Sequence, residues 1–303
     1  MERLSDHPPF ERYVTPARRQ LGWWRPVAGF GLIIAAWVLS VLATLGVYAS
    51  VISISTGNVD AGMLALTRIE DGGDPVAILV VLVSFGGIWL GCLLAQRLFH
   101  ALPFRALTGP LNRGGFLRGT LIGIGFACLT ILVSAFFVGA PTRAMPLGEW
   151  ALFAVPVLLL VFVQATGEEL IFRGYLLQQI AARVRSPLVW AVLPSFGFGL
   201  VHFNAALPDG GGLFYVAITF MTGLALVVCV WRTGDLWAAS GLHVGINLTG
   251  LLFVGSEGIL WGTQLWTFAA NDLAGIFLID VVASAALLAF LLSPLGRVLA
   301  PPR

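Results

Sequence analysis

An all-α, polytopic membrane helix bundle of about eight transmembrane helices is the architecture this sequence predicts, on three observations. The 303 residues are 58% hydrophobic and only 11% charged, with a mean hydropathy of +0.92, whereas soluble chains carry about 25% charged residues. Several apolar runs reach the roughly 20 residues a helix needs to cross a hydrocarbon core. All 17 basic residues are arginines. An even number of crossings that starts in the cytoplasm leaves only Arg68 and Arg143 on the outer side, as the positive-inside rule requires.

The elements follow in order. Residues 1–26 form a polar, arginine-bearing N-terminal tail, expected in the cytoplasm. The apolar run after it is too long for the h-region of a secretory signal and has no convincing cleavage site. Spans are expected at about 27–50 and 76–96, joined by an outer loop over 51–75 rich in Ser, Gly, Asp and Glu. Residues 97–117 hold Arg97, Arg105 and Arg113 with two prolines, and are read as a cytoplasmic loop or interfacial segment. Further spans are expected at about 117–139, 149–170, 188–206, 213–231, 235–254 and 274–292, and residues 293–303 form a second cytoplasmic tail. The bundle thus occupies 27–292, with the chemistry confined to about 150–255.

Composition also narrows the function. The net charge of +2 reflects topology, so nucleic acid is not an expected partner; the lipid bilayer is. Cys92, Cys128 and Cys229 all fall within spans and are read as small packing residues. Arginine without lysine suits a GC-rich bacterial genome, and the expected location is the bacterial inner (cell) membrane.

Against this apolar background a few polar residues stand out. A charge near the bilayer centre costs about 2.5–3.5 kcal/mol even on the lenient insertion scale, and marks a site by default. Within Gly-Glu-Glu-Leu-Ile-Phe-Arg, Glu169 and Arg173 are spaced i, i+4 on one helical face, acid before base, the favourable order for a pair. Glu168 is turned about 100° away, free to face a cavity. Arg173 can hold Glu169 charged, which leaves Glu168 for general-base work.

Two further elements follow. Phe198 and His202 share a face at i, i+4, with Gly197 and Gly199 available for close helix approach. His243 and Asn247, also i, i+4, aim an imidazole and a carboxamide at one point, where they can bind a metal or donate to an oxyanion. The charged turn Arg183-Val184-Arg185-Ser186-Pro187 is the expected tip of the hairpin formed by the fourth and fifth spans. Glu168 and His202 each lie 17 residues from Arg185, about 25 Å along a helix, and so at matching depth. His243 is eight residues past Asp235, about 12 Å into its span. For the three to meet, the hairpin must extend about 10–13 Å beyond the membrane, and the site then opens to cytoplasmic water.

The series Glu168-Glu169-Leu170-Ile171-Phe172-Arg173, Phe198-Gly199-Leu200-Val201-His202 and His243-Val244-Gly245-Ile246-Asn247 resembles the CPBP family of intramembrane peptidases, which includes CAAX prenyl endopeptidases and bacteriocin-processing relatives. The resemblance covers about 150–255; the first three spans and the last match only as apolar helices. It implies hydrolysis of a peptide bond in a membrane-embedded or membrane-bound substrate. By motif position Glu168 matches the general base, with His202 binding or orienting the water. His243 and Asn247 match the group that polarises the scissile carbonyl, and Glu169 with Arg173 a pair that fixes the first glutamate. A metal is left open: Glu168, His202 and His243 are a credible set for Zn2+ or another divalent ion, while a glutamate-activated water with His and Asn donors needs none. The metal-free reading is favoured narrowly, because Asn is an uncommon zinc ligand.

Other chemistries fit less well. The sequence has no HExxH and no GxSxG. Asp280 is a lone intramembrane aspartate, unable to form an aspartyl dyad. The alternatives of a different class are a non-catalytic scaffold or immunity-type protein, and a transporter using the Glu/His cluster for protons or metal ions.

Overall fold

The computed structural model describes residues 7–207 and 210–299. Of the charges used for topology, Arg3, Asp209 and Arg303 lie outside the described residues, as do the side chains of Glu70 and Asp71. The chain is a helical bundle. Among the described residues six helices are long and apolar enough to cross a membrane: α2 (Trp24–Thr56), α4 (Pro75–His100), α5 (Arg113–Val138), α6 (Leu147–Ala181), α8 (Gly211–Thr233) and α10, whose regular part is Leu273–Leu292. The fifth and seventh expected spans are also helical but shorter. They are α7 (Leu188–Leu200) and α9 (Trp237–Leu248), which ends in a π-helical turn, Thr249–Phe253. Two further short helices are α1 (Pro8–Val14) and α3 (Val59–Asp71).

Three local expectations change. The outer loop expected over 51–75 is mostly helix, because α2 runs on to Thr56 and α3 follows at once. Gly57 and Gly72 end these two helices in the left-handed region, at φ +67° and +66°, where a side chain would be strained. The Asn58 side chain caps α3 by accepting from the Asp60 amide at 2.9 Å. In the fifth span the α-helical turns are preceded by a π-helical turn, Leu188–Val192. Pro194 stands at the junction between the π-helical and the α-helical turns. That helix ends at Leu200, so His202 lies just beyond it and not inside a span reaching 206.

The hairpin formed by α6 and α7 is enclosed at its tip. Arg183 donates to the Gln20 carbonyl at 2.7 Å and the Leu21 carbonyl at 3.1 Å. Gln178 donates to the Ala106 carbonyl at 2.9 Å. From the N-terminal segment, Phe10 packs on Trp190 at 4.6 Å between ring centroids, and the Tyr13 hydroxyl donates to the Leu107 carbonyl. The far end of α6 is therefore covered by residues 7–22 and 96–109. At the other end a small sheet, β1 (Thr142–Arg143), β2 (Val254–Ser256) and β3 (Trp266–Phe268), has the order β1-β3-β2. Its β1 is antiparallel to β3, with Thr142 opposite Thr267, and its β2 parallel to β3. It ties the entrance of α6 to the exit of α9.

Between helices in lipid, small residues matter more than apolar ones, because apolar surface gains nothing by leaving hydrocarbon. α5 and α9 meet backbone to backbone. A Cβ on Gly123 would collide with the Leu242 carbonyl, and one on Gly245 with the Thr120 carbonyl. The contact locks α9, and with it His243, against α5.

Candidate active site

α6 and α9 run antiparallel, joined by three side-chain bonds along their length. Near one end the Trp150 indole donates to the Leu252 carbonyl at 2.7 Å. Further along, the Asn247 amide donates to Gln164 Oε1 at 2.9 Å. Deepest is His243, whose Nδ1 lies 2.9 Å from Glu169 Oε1. The same carboxylate oxygen accepts from Arg173 Nη1 at 2.8 Å. Glu169 and Arg173 are 0% and 1% exposed, so this is a buried ion pair of the kind that requires good geometry.

The stretch Leu170–Leu176 is π-helical, a widening often found where a helix carries a site. Arg173 is held on several sides. Its guanidinium sits 4.4 Å over the Phe198 ring. A Cβ at Gly223 would come within 3.0 Å of its Nη2, so α8 makes room for the cation with a glycine.

Glu168, one residue earlier, is placed differently. Its Oε2 lies 3.5 Å from His243 Nε2 and has no hydrogen-bond partner among the described residues. It faces His243 without being tied down. A carboxylate accepting at Nδ1 fixes the ring so that Nε2 is the atom turned toward Glu168.

His202 reaches the cluster only through Phe198. Its Nδ1 lies 2.7 Å from the Phe198 carbonyl, and its ring stands 4.7 Å from the Phe198 ring. Phe198 in turn meets His243 edge-on at 5.8 Å. The phenylalanine of the second motif is thus the common wall of Arg173, His202 and His243. With Nδ1–H donated to a carbonyl, His202 keeps Nε2 as an acceptor. Of the two glycines beside it, Gly199 permits close approach to α8, where a Cβ would stand 2.8 Å from the Val216 carbonyl. Gly197 has open space instead.

The structure therefore links Glu168, Glu169, Arg173 and His243 in one cluster. Asn247 joins it through Gln164, and His202 through Phe198. The candidate metal set of Glu168, His202 and His243 is not assembled: among the described residues no three His, Cys, Asp or Glu side chains stand together as ligands. Gln164 escapes the sequence motifs. The available signal is a carboxamide within an apolar span, one turn before Glu168 and on its face.

Residues 150–249, which contain all three motifs, match the family model of type II CAAX prenyl endopeptidases, Rce1-like. The resemblance drawn from the motifs is borne out by this match, and so is the enzyme class, a membrane protease that hydrolyses peptide bonds. A Bacillus subtilis (strain 168) protein, YyaK, itself uncharacterised, is 25% identical over 270 residues, covering 82% of this chain and 84% of its own length. The apolar helices, with the match to a membrane-protease family, support an integral membrane protein.

Proposed function

We propose that the chain is an intramembrane endopeptidase in which Glu168 activates water against a peptide bond of a membrane-associated protein. The observation that carries this reading is the contrast between adjacent glutamates. One oxygen of Glu169, Oε1, is shared by Arg173 Nη1 and His243 Nδ1, and its Oε2 has no partner among the described residues. Among the same residues Glu168 has no bond to a cation other than a 3.5 Å approach of its Oε2 to His243 Nε2. A general base has to be placed without being spent on structure.

In the proposed step Glu168 takes a proton from water as the oxygen attacks the scissile carbonyl. His202, with Nε2 free to accept, orients that water. The negative charge then develops on the former carbonyl oxygen. His243 and the amide of Asn247 face that oxygen as the preorganised polar groups that stabilise it. Glu168 returns the proton to the leaving amine nitrogen, and the C–N bond breaks. Glu169 and Arg173 hold the His243 ring throughout. No step is routed through a metal, since the residues present do not converge as a ligand set; turnover is expected to survive removal of divalent ions by a chelator. Both termini lie in the cytoplasm in this reading, and the membrane is the bacterial inner one.

The test is the set of new peptide termini found by mass spectrometry in membranes of cells that make wild type or Glu168→Ala at matched levels. Termini present only with wild type support the peptidase and supply its substrates. Identical profiles, with both proteins folded, reject it.

A further inference from the structure

Asn247 is half-buried on α9, and one of its amide hydrogens is committed to a single acceptor, Gln164 Oε1 at 2.9 Å. Gln164 is itself 7% exposed and lies four residues before Glu168, on the same face of α6. A primary amide presents two N–H donors on one side and a carbonyl acceptor on the other. Left alone, the Asn247 carboxamide could turn over and point its oxygen at the reacting centre, where it would repel a developing oxyanion. With its own oxygen turned toward Asn247, Gln164 biases that choice. It takes one N–H and so fixes which side of the amide carries nitrogen, leaving the second N–H to the site.

We propose that Gln164 is the positioning residue for Asn247: it holds the carboxamide nitrogen-side inward, so that the donor is in place before the oxyanion forms. The proposal rests on the peptidase reading for its catalytic meaning, but the amide clamp itself does not. Among the described residues Gln164 makes no bond in the Glu169–Arg173–His243 cluster, so an effect carried by the clamp vanishes once Asn247 is gone, whereas a direct one from the shared face of α6 would not. A donor that only the transition state needs should change kcat and leave KM alone.

The experiment is a double-mutant cycle in proteoliposomes on a peptide recovered from the cleavage screen, with Gln164→Leu, Asn247→Ala and the pair. Gln164→Leu keeps the volume and loses the acceptor. Removing one oxyanion donor costs about 10²–10³-fold in kcat. Gln164→Leu is expected to lose at least tenfold with KM within about twofold, and to have no further effect in the Asn247→Ala background. An unchanged kcat, or a further loss in that background, overturns the proposal.

A second measurement stands apart from activity. Selective ¹⁵N-labelling of the five asparagines, with Asn247 assigned by its alanine variant, reports its side-chain amide. Slow exchange of one Asn247 amide hydrogen in wild type, lost in Gln164→Leu, supports the clamp. Fast exchange of both in wild type overturns it. If wild type shows no Glu168-dependent cleavage while the amide is protected, the peptidase reading fails and the clamp stands.

Discussion

Two helices of nearly equal length, α2 with 33 residues and α6 with 35, are both apolar enough to cross a membrane. Yet only 6% of the apolar window of α2 is buried inside the protein, against 33% for α6. Along α2 the buried residues are Pro26, Gly29, Ile33 and Tyr48, and most of its surface is left to lipid. Along α6 burial is continuous from Gln164 through Glu169, the stretch that carries amide, hydroxyl and carboxylates. Hydropathy makes the two alike. What separates them is that α6 carries its polar side chains in a buried stretch packed against α9 and α7, where Gln164, Glu169 and Arg173 meet Asn247, His243 and Phe198.

The largest effect expected from this contrast lies within α6. Glu168→Gln should lower turnover by about 10²–10⁴-fold, the range of general-base catalysis, while the thermal unfolding midpoint in detergent stays at the wild-type value. Loss of the fold in that variant would mean that Glu168 is structural, and the contrast between the two glutamates would collapse.

Glu169→Gln is expected to behave in the opposite way. It leaves Arg173 buried without its counter-charge, which costs about 3–5 kcal/mol, read as a lowered unfolding midpoint; activity falls with it. Arg173→Met in the Glu169→Gln background should restore part of that stability but not activity. A Glu169→Gln variant as stable as wild type would show that the ion pair does not hold the cluster.

Packing gives the third comparison. Gly245→Val places atoms where the Thr120 carbonyl already stands, and overpacking of this kind costs typically about 1–3 kcal/mol. Because α9 carries His243, kcat should drop as well.

The smallest effect belongs to α2. Gly46 has nothing within 4 Å of a built Cβ, so Gly46→Ala should leave activity unchanged and stability equal or higher by at most about 1 kcal/mol. A large loss there would reveal that the lipid-facing side of α2 is covered by something else.

Much of this is legible in the amino-acid sequence. Glu169 and Arg173 at i, i+4 form the pair their spacing predicts, and Glu168 lies 3.5 Å from His243, but the matching depth expected for Glu168 and His202 leaves His202 touching the cluster only through Phe198. What escapes are features that depend on a partner helix. Gly197 and Gly199 look equivalent in sequence, but only Gly199 meets α8, while Gly197 faces open space. Gln164 gives no motif, since a lone amide in an apolar run takes its meaning from what faces it. The 51–75 segment looks like a loop by composition; the Asn58 cap and the two left-handed glycines turn it into helix.

By itself, the sequence determined that this chain lives in a membrane, which runs of it are helical, and which few polar residues must be explained. Hydropathy and i, i+4 spacing are local properties, and a helix satisfies its own backbone in lipid whatever surrounds it. The tertiary structure alone decided that Glu169 takes both Arg173 and His243 on one oxygen while Glu168 approaches His243 alone, and that Asn247 answers to Gln164. It also decided that His202 reaches the cluster through a phenylalanine ring. Those outcomes rest on the rotation and depth of one helix against another, fixed by glycine contacts between chain segments more than a hundred residues apart.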